Sequence, residues 1–148
     1  LLAEGEALGA RVRLERVAPR RTNVLLTWGR PRVVFTTHLD TVPPYIAPTF
    51  DGARVAGRGT CDAKGQIVAQ LEAVRRLLAS GLDGVAFLGL VGEESDAAGA
   101  RAAGAFADEF DDVSLVVNGE PTDGAAATGQ RGYLHLELTA RGRAAHSG

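Results

Sequence analysis

The chain has 148 residues, 45% of them hydrophobic and 23% charged, with a formal net charge of −2. That length suffices for one domain with a buried core, and sixteen Lys and Arg against eighteen Asp and Glu supply no cationic field for nucleic acid or an anionic membrane as a partner. The single cysteine, Cys61, excludes an internal disulfide framework and a four-thiolate zinc site; with no run of about 18 apolar residues and no basic-then-apolar leader, the expectation is a soluble cytoplasmic protein.

Residues 1–10 read as the end of an amphipathic helix carrying Leu1 and Leu8. Arg11 to Val17 alternates, with Val12, Leu14 and Ala18 opposite Arg11, Arg13 and Glu15, the period of a half-buried strand. Thr22 to Trp28 predicts a second strand, Gly29-Arg30-Pro31 a turn, and Arg32 to His38 a third strand, apolar on both faces at Val33-Val34-Phe35. Prolines and glycines make Leu39 to Thr60 loop-like, with a short hairpin around Asp51-Gly52. Ile67, Leu71, Val74 and Leu78 form a helical stripe that begins near Asp62 and closes at Ser80-Gly81. Val85 to Val91 predicts a central strand, Ala97 to Phe110 a second helix, and Val113 to Asn118 another buried strand. This alternation indicates an α/β fold, a mixed and mostly parallel sheet flanked by helices. Beyond Pro121 the pattern changes: Tyr133 to Thr139 alternates strictly, as a strand opening a second unit would. The expected division is therefore 1–129 and 130–148. A chain without methionine that opens mid-helix and closes at Gly148 reads as a piece of a longer protein.

Acidic residues and histidine collect where strands end. His38 and Asp40 close the third strand on one side of it. Asp40 is placed to hold the second ring nitrogen of a ligating imidazole. Asp62 stands where a glycine-rich loop becomes a helix, while Glu93-Glu94 and Glu120 follow the next two strands. Ligands of open α/β sheets bind beyond the carboxyl ends of the strands, so four segments deliver His38, Asp62, Glu93/Glu94 and Glu120 to one rim. Carboxylates packed together raise one another's pKa unless a cation lies between them. One imidazole with several carboxylates and no thiolate suits zinc, cobalt or manganese. The adjacent pair Glu93-Glu94 lets one side chain bind metal while its neighbour moves a proton.

The segments HLDTVPP at 38–44, GRGTCDAKG at 57–65, GEES at 92–95, NGEPT at 118–122 and RGRAAHSG at 141–148 occur in an order that resembles the acetylornithine deacetylase, succinyl-diaminopimelate desuccinylase and aminoacylase family of di-metal amidohydrolases. The resemblance implies a zinc-peptidase-like catalytic domain over 1–129, and at 130–148 the start of a smaller α+β lid through which subunits pair as homodimers. It implies two divalent ions, with His38 and Glu120 on the first, Asp62 bridging and Glu94 on the second. Asp40 would orient the His38 ring, and Glu93 would be the general base. His146 would stabilise the oxyanion, usually in the partner subunit's site. The second metal's further histidine comes from later in a longer chain than this one. The implied reaction is hydrolysis of the amide bond of an N-acyl amino acid or small peptide; deacetylases, desuccinylases, dipeptidases and carboxypeptidases share all these segments.

Plainer readings compete at several positions. His38 alone would be a hydrogen-bonded strand-end histidine, Asp62 a helix cap, Glu93-Glu94 a solvated pair, Cys61 a semi-buried bystander and His135 a residue on the wet face of its strand. Asp62 stands where a dinucleotide fingerprint needs its third glycine, and Lys64-Gly65 reverses the order of a phosphate loop. A hydrolase using Ser147 with His38 and Asp40 lacks the strained Gly-x-Ser-x-Gly turn. The alternative to an enzyme is a truncated, non-catalytic domain with an incomplete metal site.

Overall fold

The computed structural model describes residues 1–143, 145 and 146. Helix α1 (Leu2–Ala7) leads into strands β1 (Arg11–Ala18), β2 (Arg21–Trp28) and β3 (Val33–His38). A two-stranded hairpin follows, β4 (Thr49–Phe50) and β5 (Val55–Ala56), then α2 (Lys64–Ala79) and β6 (Val85–Leu90). Helix α3 (Ala98–Ala102) runs into a 3-10 segment (Ala103–Glu109), and β7 (Leu115–Asn118) completes the set. The five long strands form one sheet in the order β1-β2-β6-β3-β7, antiparallel from β1 to β6 and parallel from β6 to β7.

Two cores sandwich this sheet. On one face Val24, Leu26, Trp28, Val85 and Phe87 meet Leu71 and Val74 of α2, and the stripe continues through Ile67 and Leu78. On the other, Leu25, Val34, Ala86 and Leu88 pack against Phe106 of the 3-10 segment. Apolar residues on both faces of β2, β3 and β6 are what a sheet covered twice requires. The chain leaves β3 toward α2 on one face and leaves β6 toward α3 on the other. A crevice therefore opens between the carboxyl ends of these neighbours, the usual place for a ligand in an open α/β sheet.

Several expectations are corrected. The region 97–110 is one short α-helix followed by a 3-10 turn, and Gly99 in that helix lies so close to the residue after β6 that a Cβ there would be 2.2 Å from the Val91 carbonyl oxygen. Strand β7 is exposed along its length rather than buried, since it is the sheet's edge. Leu14 of β1 is 54% exposed, and on the opposite face Arg11 and Arg13 form ion pairs with Asp108 and Glu109. Tyr133 to Thr139 forms no strand and is exposed. Its alternation has no partner ladder among the described residues, and a strand without one leaves its backbone groups to water. Cys61 is exposed rather than semi-buried.

Candidate metal centre

The site is assembled from the ends of three parallel strands and one loop. His38 is the last residue of β3 and is 3% exposed. Its Nδ1 lies 3.0 Å from the backbone oxygen of Asp40, and its Nε2 lies 2.7 Å from Oδ1 of Asp62. Both ring nitrogens thus face acceptors, the arrangement of an imidazolium. Burial, the largest influence, pulls the ring's pKa down. The Asp62 hydrogen bond and the charges of Glu120, Asp62 and Glu93 outweigh it, and the pKa is raised.

Asp62 arrives from the loop before α2. It does not cap that helix: Ala63 occupies the cap position and no side chain bonds there. The loop instead closes on itself through the Lys64 N–H donating to the Gly59 carbonyl at 2.9 Å and the Thr60 hydroxyl donating to the Gly57 carbonyl at 3.0 Å. Glu120 follows β7, and the Gly119 ahead of it is pinned: its N–H donates to Thr36 at 2.8 Å and its carbonyl accepts from the Thr37 hydroxyl at 2.7 Å. Burial raises the pKa of Glu120; His38 opposes this, while Glu93 and Asp62 add to it.

Ligand atoms of His38, Asp62 and Glu120 all lie within 4.8 Å of one another, and so do those of His38, Glu93 and Glu94. The structure therefore gathers these five acidic and imidazole residues near β3, β6 and β7. Asp40 takes part through its backbone carbonyl, since its own Oδ1 is 3.7 Å from the ring. His146 belongs to neither cluster and is exposed; its neighbours Ala144, Ser147 and Gly148 lie outside the described residues. A cavity of about 260 Å³ opens over His38, with Glu93 and Glu120 in its wall and Leu90, Val91 and Ala97 on its apolar side.

The donor set fits a divalent cation. His38, Asp62 and Glu120 would provide three protein ligands, the number a catalytic site that keeps an open position uses. Glu93 and Glu94 lean on the same imidazole, so a second ion lacks a nitrogen ligand of its own among the described residues.

Residues that hold this frame escaped the sequence reading. Asn23 is fully buried; its Nδ2 donates to the Gly99 carbonyl at 2.8 Å and its Oδ1 accepts the Val91 N–H at 3.0 Å. Gln70 of α2 donates to the Thr36 and Val117 carbonyls, joining β3 to β7. The available signal was a polar residue inside an apolar pattern: Asn23 in a strand core, Gln70 beside the Ile67–Leu71–Val74 stripe.

A model of the peptidase family M20/M25/M40 matches residues 34–137. A Peptidase M20 domain-containing protein of Schizosaccharomyces pombe is 35% identical over 97% of this chain and 38% of its own length. A probable carboxypeptidase of Aspergillus terreus is 39% identical over 80% of the chain and 29% of its own. The chain thus spans well under half of these relatives. Among solved structures, a tripeptidase from Staphylococcus aureus superposes with a TM-score of 0.62 at 24% identity, covering 79% of this chain and 35% of that one. Human carnosine dipeptidase 1 gives 0.60 at 23% identity over 80% and 31%; at these identities the likeness is one of fold.

Proposed function

We propose, for a chain that belongs to peptidase family M20/M25/M40, that it carries the hydrolytic centre of a metal-dependent enzyme cleaving the amide bond of an N-acyl amino acid or small peptide. The observation that carries this reading is His38, buried at a strand end and shared by two carboxylate clusters. The name of a relative, probable carboxypeptidase, supports peptides and their N-acyl analogues as the substrate class. The finer resemblance to acetylornithine deacetylase, succinyl-diaminopimelate desuccinylase and aminoacylase rests on the five segments quoted above.

In this reading His38, Asp62 and Glu120 would hold one divalent ion, zinc before cobalt or manganese, and by the family resemblance Asp62 and Glu94 would serve a second, completed by a ligand from elsewhere in a longer protein. When bound, the ions lower the pKa of water and polarise the scissile carbonyl. The chain's own residues do the proton work. Glu93, in the cavity wall, accepts a proton from the attacking water and returns it to the departing amine. The Nδ1–H of His38 donates to the Asp40 carbonyl and so fixes the tautomer that leaves Nε2 as the ligand atom. Residues 130–148 begin the lid, whose His146 steadies the oxyanion across a homodimer.

Replacing Glu93 by Gln in the full-length protein tests the assignment. The expected result is a fall in kcat of about 10²–10⁴-fold with the metal content per chain unchanged. Loss of metal together with activity would make Glu93 a ligand and overturn its role as base.

A further inference from the structure

We infer that the Asp40 carboxylate is the positioning group of the Glu93–Glu94 turn, acting on both glutamates through their backbone. Its Oδ1 accepts the N–H of Gly92 at 2.8 Å and of Glu93 at 3.2 Å, and its Oδ2 accepts the N–H of Glu94 at 3.2 Å. Three successive N–H groups converging on one anion form a concave receptor, and hydrogen bonds to an ionised acceptor are the stronger kind. Toward the His38 ring, the Asp40 backbone oxygen makes the hydrogen bond, accepting from Nδ1 at 3.0 Å, and the carboxylate stands at ion-pair distance, 3.7 Å, beyond hydrogen-bond range.

The geometry follows from the sheet. Leu39 donates its N–H to the Leu90 carbonyl at 2.7 Å, which carries the β3–β6 ladder one step past the strand and sets Asp40 beneath the turn that leaves β6. On the turn's other side Arg21 pairs with Asp96, whose Oδ1 also accepts the Ala98 N–H at 3.1 Å. That pair holds the far end of the loop. Asp40 accepts the N–H of all three residues 92–94, both glutamates included, while the Gly92 carbonyl is held within the turn by the N–H groups of Ser95, Asp96 and Ala97. One residue thus sets the imidazole with its main chain and the two carboxylates with its side chain. The consequence for catalysis rests on the proposed role of Glu93; the positioning itself does not.

Backbone amide exchange in the full-length protein, wild type against Asp40→Asn, tests it. An asparagine retains one acceptor and turns an NH₂ donor toward the turn. Amides of Gly92, Glu93 and Glu94 are expected to exchange at least about tenfold faster in the variant, while those of Leu39 and Gly99 keep their wild-type rates. In the same variant kcat falls with KM unchanged, and Asp40→Glu restores part of both signals. Unchanged protection at 92–94 in Asp40→Asn, whatever its activity, overturns the inference. If that variant does not fold, the wild type decides: three unprotected amides refute the receptor, and three protected ones uphold it. Exchange needs no turnover, so a failure here is distinct from a failure of Glu93 as the base.

Discussion

His38 concentrates the chemistry of this site because its ring is asked to serve two sides at once. Nδ1 is committed to the Asp40 carbonyl and Nε2 points at Asp62, with Glu93, Glu94 and Glu120 close behind. Without a cation the Asp62 hydrogen bond and the charges of Glu120, Asp62 and Glu93 hold the ring above its ordinary pKa against the pull of burial, whereas burial itself, with Glu93 and Asp62 adding to it, raises Glu120. Both displacements are those expected where negative charge gathers in a half-buried pocket. Because His38 belongs to both clusters, His38→Ala should weaken divalent-metal binding by more than about a hundredfold, read by equilibrium dialysis with zinc. A variant that retained wild-type affinity would show that the carboxylates bind metal without the imidazole. The residue pattern was visible in the sequence, since His38, Asp62, Glu93, Glu94 and Glu120 each follow a strand or a glycine loop. The acceptors of the Asp40 carboxylate were not, because backbone N–H groups 52–54 positions away leave no mark in residue identity.

Elements succeed or fail here according to whether they have something to pack against. Helix α2 keeps its predicted stripe because β2 and β6 offer it an apolar face. The alternating segment 133–139 is as regular in sequence and forms no strand, its Leu138 being 94% exposed; period-two patterning needs a neighbouring ladder. Among the described residues strand β7 pairs only with β3, so its valines remain in water despite a core-like composition. The join between β2, the end of β6 and the start of α3 depends on one amide: Asn23→Ala would leave the Val91 N–H and the Gly99 carbonyl buried without their partner. The expected cost is about 2–4 kcal/mol, seen as a lower urea midpoint with an unchanged m-value. A shift indistinguishable from zero would mean that water replaces the amide.

At the scale of the whole molecule, contacts between distant parts of the chain lock the sheet to its second layer. Arg11 and Arg13 of the first strand clasp Asp108 and Glu109 of the 3-10 segment, 95 to 98 positions on, and Arg13 also lies over the Phe106 ring. Hydrogen bonds from Arg11, then Arg13, lower the pKa of Glu109 from 4.5 to about 2. The folded value lies below the unfolded one, so the stabilisation is complete above about pH 4.5 and is lost as the pH falls through about 2. The difference in unfolding midpoint between wild type and Glu109→Gln should therefore be full at neutral pH and vanish near pH 2. A difference independent of pH would assign the effect to packing instead of charge.

The order of strands and helices, the stripe of α2 and the ligand types of the site could all be read from residue order, because periodicity and donor chemistry are local properties of a chain. The exposure of β7, the unformed strand at 133–139, the attachment of Asp40 to the Glu93–Glu94 turn and the burial of Asn23 could not. Each depends on which segments become neighbours in space, and that outcome is set by the competition among all segments for a limited apolar interior and for hydrogen-bond partners.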